Sequence, residues 1–122
     1  MLECPMDRWL RATVNSWNGL LAAMRSEVAF REELVALVLA VPLAFVVAPD
    51  IWRRLALIAA ILFLVIVELL NTAIEKLADH VTPVLHPGIG RIKDMGSAAV
   101  GVALLLVAAI WLVAIGERLA IL

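Results

Sequence analysis

Charge is scarce in this chain: Asp, Glu, Lys and Arg make up 17% of its 122 residues, against roughly a quarter in ordinary soluble domains. Cysteine is scarcer still, and the single Cys4 excludes an intramolecular disulfide scaffold. A net charge of −1 excludes a basic nucleic-acid-binding domain, so no nucleic-acid partner is expected. No Ser/Gly-rich linker, repeat or low-complexity tract divides the chain, which predicts one domain over residues 1–122. The first twenty residues hold Glu3, Asp7, Arg8 and Arg11 among apolar ones. They lack the basic-then-apolar order of a secretory signal and are expected to belong to the mature protein.

What fills the chain instead is hydrocarbon. Hydrophobic side chains are 65% of the residues and mean hydropathy is +1.05, more than the single core of a domain this size can hide from water. Lipid must be the solvent, and the expected fold is all-α: an N-terminal amphipathic surface helix followed by three transmembrane helices. Over residues 8–28, Leu10, Val14, Trp17, Leu21, Met24 and Val28 share one helical face, with Arg8, Arg11, Asn15 and Asn18 largely opposite, the pattern of a helix lying in the headgroup region. A first span over about 30–48 contains a 16-residue uncharged run from Leu34 to Pro49; Pro42 inside it predicts a kink, and Asp50 is placed to cap the next helix. A second span over 51–81 is expected to end at Thr82-Pro83. The third, about 93–116, has 22 residues without charge from Met95 to Gly116, enough to cross a bilayer core of ~30 Å.

Arg8, Arg11, Arg25, Arg31, Lys76, Arg91 and Lys93 would then lie on one side, and Arg53, Arg54 and Arg118 on the other. The richer side should be cytoplasmic, with Trp52 and Trp111 near the opposite interface.

Glu68, Asn71, Thr72, Glu75 and Asp79 recur at helical spacing and at ~100° per residue occupy one stripe of the second span. Acids within a span must face protein or water and are functional candidates by default. A deeper carboxylate suits removal of a hydroxyl proton, and a shallower one suits a divalent cation such as Mg²⁺, which takes oxygen ligands and needs only one or two from protein. Glu27 or Glu33 could complete such a set; Glu27 could equally pair with Arg31 four residues on. The segment from His86 to Ser97 reads as a loop on the same side. Lys93 at the start of the third span, beside free backbone N–H groups, would favour a phosphate. His80 and His86 read as loop residues rather than metal ligands.

Val67-Glu-Leu-Leu-Asn-Thr-Ala-Ile-Glu75 and Gly90-Arg-Ile-Lys-Asp-Met-Gly-Ser-Ala-Ala-Val100, with Ser16-Trp17 and Glu27-Val-Ala-Phe-Arg-Glu-Glu33 upstream, resemble the prokaryotic diacylglycerol kinase family. The resemblance implies a small bacterial inner-membrane kinase, a homotrimer with sites shared between protomers, that uses ATP and Mg²⁺ to convert diacylglycerol to phosphatidic acid in phospholipid metabolism and lipid recycling. It implies Glu68 as the catalytic acid that takes the lipid hydroxyl proton and Asn71 as its positioning partner. Glu27 and Glu75 would hold the metal of the nucleotide. Arg8, His86, Lys93 and Asp94 would contact ATP, and Arg8, Ser16, Trp17, Phe30, Arg31, Glu33 and Ser97 would be lipid-substrate or supporting positions. The form Lys-Asp-Met-Gly-Ser favours diacylglycerol over the related acceptor undecaprenol. A rival class is a small proton-coupled transporter, which would use Glu68 but has no need of Lys93 and Asp94.

Overall fold

The computed structural model describes residues 4–82, 84 and 86–120. Glu3 and Pro83, both used in the reading above, lie outside them. Four helices follow one another: α1 Pro5–Ser26, α2 Val28–Val47, α3 Ile51–Val81 and α4 Pro87–Arg118. α3 packs along both α2 and α4, and α1 touches the bundle through α2.

α1 starts three residues before the amphipathic pattern because Pro5 sits in its first turn, where a fixed φ and a missing N–H cost nothing. It stops because Glu27 is extended (φ −121°, ψ 115°). Arg31 secures that break: its Nη1 donates to the carbonyls of Met24 (2.7 Å) and Arg25 (3.2 Å), two of the acceptors a helix C-terminus leaves open. Only Ala23 of α1 is buried, while Met6, Trp9, Leu10, Val14 and Trp17 are exposed along one face.

α2 is continuous through Pro42. Its Phe30 is wholly buried with Ala23 and Val65, which pins the α1–α2 junction onto α3; truncating such a residue typically costs about 3–5 kcal/mol. Asp50 caps α3 as expected, its side chain accepting from the Arg53 backbone N–H at 2.8 Å. The buried face of α3 runs through Leu57, Ala60, Ile61, Leu64, Val65, Glu68, Asn71, Thr72 and Ala78. One stripe therefore begins apolar and turns polar at Glu68, and Glu68, Asn71 and Thr72 face protein, whereas Glu75 is half-buried and Asp79, expected on the same stripe, is exposed.

Among the described residues, α3 and α4 are the helices long and apolar enough to cross a membrane; α2 carries Arg31, Glu32 and Glu33 in its opening turns. α4 starts at Pro87, six residues before the expected position. Pro87 takes the first turn, and His86 supplies the cap, its Nδ1 accepting from the Gly88 N–H at 3.0 Å. The Pro/Gly-rich stretch read as loop is thus largely helix. Gly96 and Ala103, seven residues apart, are the buried positions of α4, small enough to let backbones approach where lipid gives helices no hydrophobic reason to associate.

Candidate active site

Three neighbouring polar side chains of α3, Glu68, Asn71 and Thr72, are buried at 6%, 8% and 5% exposure. Asn71 Nδ2 donates to Glu75 Oε1 at 3.2 Å, which turns its amide oxygen toward α4. A β-carbon on Gly96 would overlap that oxygen, so glycine is what permits the contact. Among the described residues, Asn71 Oδ1, Thr72 Oγ1 and Glu33 Oε2 are buried with no hydrogen-bond partner. Native interiors rarely leave such atoms without a role.

Negative charge converges on the same place. The charges of Glu75 on α3 and Glu27 at the α1–α2 junction act on Glu68, and Glu68 acts on Glu33 of α2. Lys76 Nζ lies 3.6 Å from Glu27 Oε1, and further along α3, past Glu75, Lys93 of α4 pairs with Asp79. Beside these carboxylates, a groove of about 470 Å³ runs between α1 and α3, with Ser16, Gly19 and Ala23 on one wall and Leu69, Thr72 and Lys76 on the other.

The structure therefore gathers Glu27, Glu33, Glu68, Asn71 and Glu75, with Ser16 at the adjoining groove. Lys93 needs correction: with α4 starting at Pro87, it lies nearly two turns inside the helix, where backbone N–H groups are already used. Any anion there must be held by its side chain. His86 stays outside the helix, as read, and caps α4; His80, read as a loop residue, lies in the last turn of α3 instead. Arg31 closes α1 instead of pairing with Glu27, whose partner is Lys76. Phe30 is core, in keeping with a supporting role. Arg8, Trp17, Asp94 and Ser97 are exposed, Trp17 on the apolar face of α1. The sequence reading missed Lys76 as the partner of Glu27 and Gly96 as the seat of the Asn71 amide.

The donor set suits a hard divalent cation. Among the described residues no three His, Cys, Asp or Glu side chains converge as a metal cage, and Mg²⁺ does not require one, because phosphate and water supply most of its ligands. Glu75, oriented by Asn71, and the partly exposed Glu27 offer the one or two carboxylates that remain.

Comparison with known proteins identifies the family. Residues 14–115 match the family described as prokaryotic diacylglycerol kinase. A diacylglycerol kinase of Escherichia coli K12 is 43% identical over 104 residues, covering 85% of each chain. One from Pseudomonas aeruginosa is 43% identical over 106 residues, 87% of this chain and 86% of its own. One from Helicobacter pylori is 35% identical over 104 residues, 85% of this chain and 81% of its own. A match over that much of the sequence, with the buried acid and amide column it encloses, makes this chain a member of the prokaryotic diacylglycerol kinase family.

Proposed function

We propose that the chain transfers the γ-phosphoryl group of ATP to the free hydroxyl of diacylglycerol at the cytoplasmic face of the membrane, with Glu68 as the base. Kinase activity toward diacylglycerol follows from membership of the family. The buried Glu68-Asn71-Thr72 column, ringed by carboxylates and open to a groove, is the observation that carries the assignment of the site. In this reading the groove between α1 and α3 seats the glycerol backbone and the first acyl carbons. The hydroxyl loses its proton to a Glu68 carboxylate oxygen as it attacks the γ-phosphorus, and ADP leaves. Asn71 holds Glu75 through its amide, Glu27 and Glu75 hold Mg²⁺, and the Lys93 ammonium meets phosphate oxygens. Mg²⁺, when bound, neutralises phosphate charge; positioning and electrostatics are most of what phosphoryl transfer asks of a protein.

Within the same proposal α2 is a third span, α1 lies in the headgroup layer, and Arg8, Asp94, Ser97 and Trp17 complete the site from other elements or other protomers of a homotrimer. The exposure of nearly all of α4 supports contact with copies as well as with lipid. Labelled ATP with diacylglycerol in mixed micelles tests the reaction: Glu68→Gln should lower turnover at least about a thousandfold while protein assembly is kept, and full activity of that variant would remove Glu68 from the base role. Competition between diacylglycerol and undecaprenol decides the acceptor. Activity regained on mixing Glu68→Gln with Lys93→Met protomers would support shared sites.

A further inference from the structure

Glu27 and Lys93 are each held by a charge from α3, and the two holders are three residues apart. Lys76 offers Glu27 a cation and Asp79 offers Lys93 an anionic oxygen. A divalent metal would offer the first, and a phosphate would offer the second. Exposure orders the four groups: the side chains of Glu27 and Lys93 are 28% and 38% exposed, those of Lys76 and Asp79 55% and 63%. The holders are therefore the more exposed partner of each pair and can swing away without leaving a cavity. Pairs this exposed are weak, hence readily exchanged.

We propose that Lys76 and Asp79 are positioning residues that hold Glu27 beside the Glu68 column and Lys93 beyond its Glu75 end, and yield them to the metal and phosphate of the nucleotide. The proposal rests on the assignment of Glu27 and Lys93 given above. Two features of the fold make it specific. The extended backbone at Glu27 turns its side chain to α3 rather than along α2. The early start of α4 puts Lys93 within reach of the last turn of α3. Each holder keeps its long partner from collapsing onto the buried carboxylates or away into solvent, at the expense of competing with the ligand.

Equilibrium binding to the full chain in bicelles tests this, with Mn²⁺ followed by electron paramagnetic resonance and a β,γ-imido ATP analogue with Mg²⁺ by fluorescence displacement. Lys76→Met should tighten Mn²⁺, and Asp79→Asn the nucleotide analogue, by about two- to five-fold, the scale of an exposed ion pair. KM for ATP should fall in Asp79→Asn. Both effects should vanish when Lys76→Met is placed on Glu27→Gln and Asp79→Asn on Lys93→Met. Tightening that persists on those backgrounds is a general field effect and overturns the proposal, as do single variants that bind unchanged or more weakly. If Glu27→Gln and Lys93→Met themselves leave both probes unaffected, the site assignment fails and this inference fails with it; if they weaken binding while the holders do nothing, only the inference is lost.

Discussion

The two ends of the helix bundle handle polar groups in opposite ways. Where α2 turns into α3, polar atoms are paired across helices. Arg53 bonds Asp50 and lies 3.1 Å from Glu117 of α4. Arg54 donates to the Ala48 carbonyl at 3.0 Å and covers the Phe45 ring at 4.6 Å. Arg118 donates to the Val46 carbonyl at 3.3 Å, and the Trp111 indole to the Leu57 carbonyl at 3.1 Å. Carbonyls at the C-terminus of α2 that would otherwise be orphans are thus capped by arginines from its neighbours. At the Glu68 end, three buried polar atoms have no partner among the described residues and carboxylates crowd together. One end uses its polar groups to fasten helices; the other has ion pairs only at its exposed margin and, in the proposed function, keeps its buried acceptors for substrate. Stability and activity should therefore respond to different residues.

The largest effect that would test this division is expected at Gly96. A valine there must push aside the Asn71 amide, and overpacking of that kind costs about 1–3 kcal/mol. Because Asn71 also orients Glu75, kcat should fall at least about tenfold, beyond what a lower SDS-unfolding midpoint explains. Trp111→Phe is the counterpart at the other end: loss of one indole hydrogen bond should cost about 0.5–1.5 kcal/mol. Leu57 precedes Glu68 by eleven residues, about 16 Å along the helix, so kcat should stay within about twofold. A large drop in kcat for Trp111→Phe without loss of folded protein would show that the two ends are coupled.

Thr72→Val should do the reverse at smaller scale. It removes a buried hydroxyl without a partner and replaces it with a methyl of similar shape, so stability should hold or rise by up to about 1 kcal/mol. Activity should drop severalfold, the trade expected where a polar group is kept for function. A stability loss above about 1 kcal/mol would mean that the hydroxyl serves the fold.

How far the sequence reveals this division depends on whether a feature is periodic or relational. The column of Glu68, Asn71 and Thr72 was legible because helical spacing alone aligns it, though the same spacing wrongly carried it on to the exposed Asp79, and the cap at Asp50 because Pro49-Asp50 punctuates two apolar runs. The start of α4 was misread: Pro87, Gly88 and Gly90 look like loop residues, yet proline suits a first turn and a histidine ring does the capping. The ion pairs were beyond reach in principle. Lys76 and Glu27 are 49 residues apart in sequence, and which charge meets which depends on helix rotation, which an apolar face in lipid constrains weakly. The same holds for Gly96, whose smallness was visible but whose partner, Asn71, was not.

The smallest expected effect is one of pH, at the fastened end. Asp50 is held below the usual carboxylate range chiefly by the Arg53 backbone N–H, and further by the Arg53 guanidinium. A carboxyl whose folded value is depressed binds its proton more readily in the unfolded chain, so its contribution is complete above the unfolded value of about 4. That contribution disappears as pH falls from there through the lower folded value. Glu117 shares Arg53, so wild type alone would not isolate Asp50. Asp50→Asn does, because asparagine caps a helix about as well as aspartate but carries no charge. Unfolding midpoints of the two proteins should differ slightly at pH 7 in favour of wild type and converge below about pH 4, with kcat alike throughout the range where both are folded. A difference that does not change with pH would place the value of Asp50 in its capping geometry rather than its charge, and a shift in kcat would extend the influence of this end to the Glu68 column.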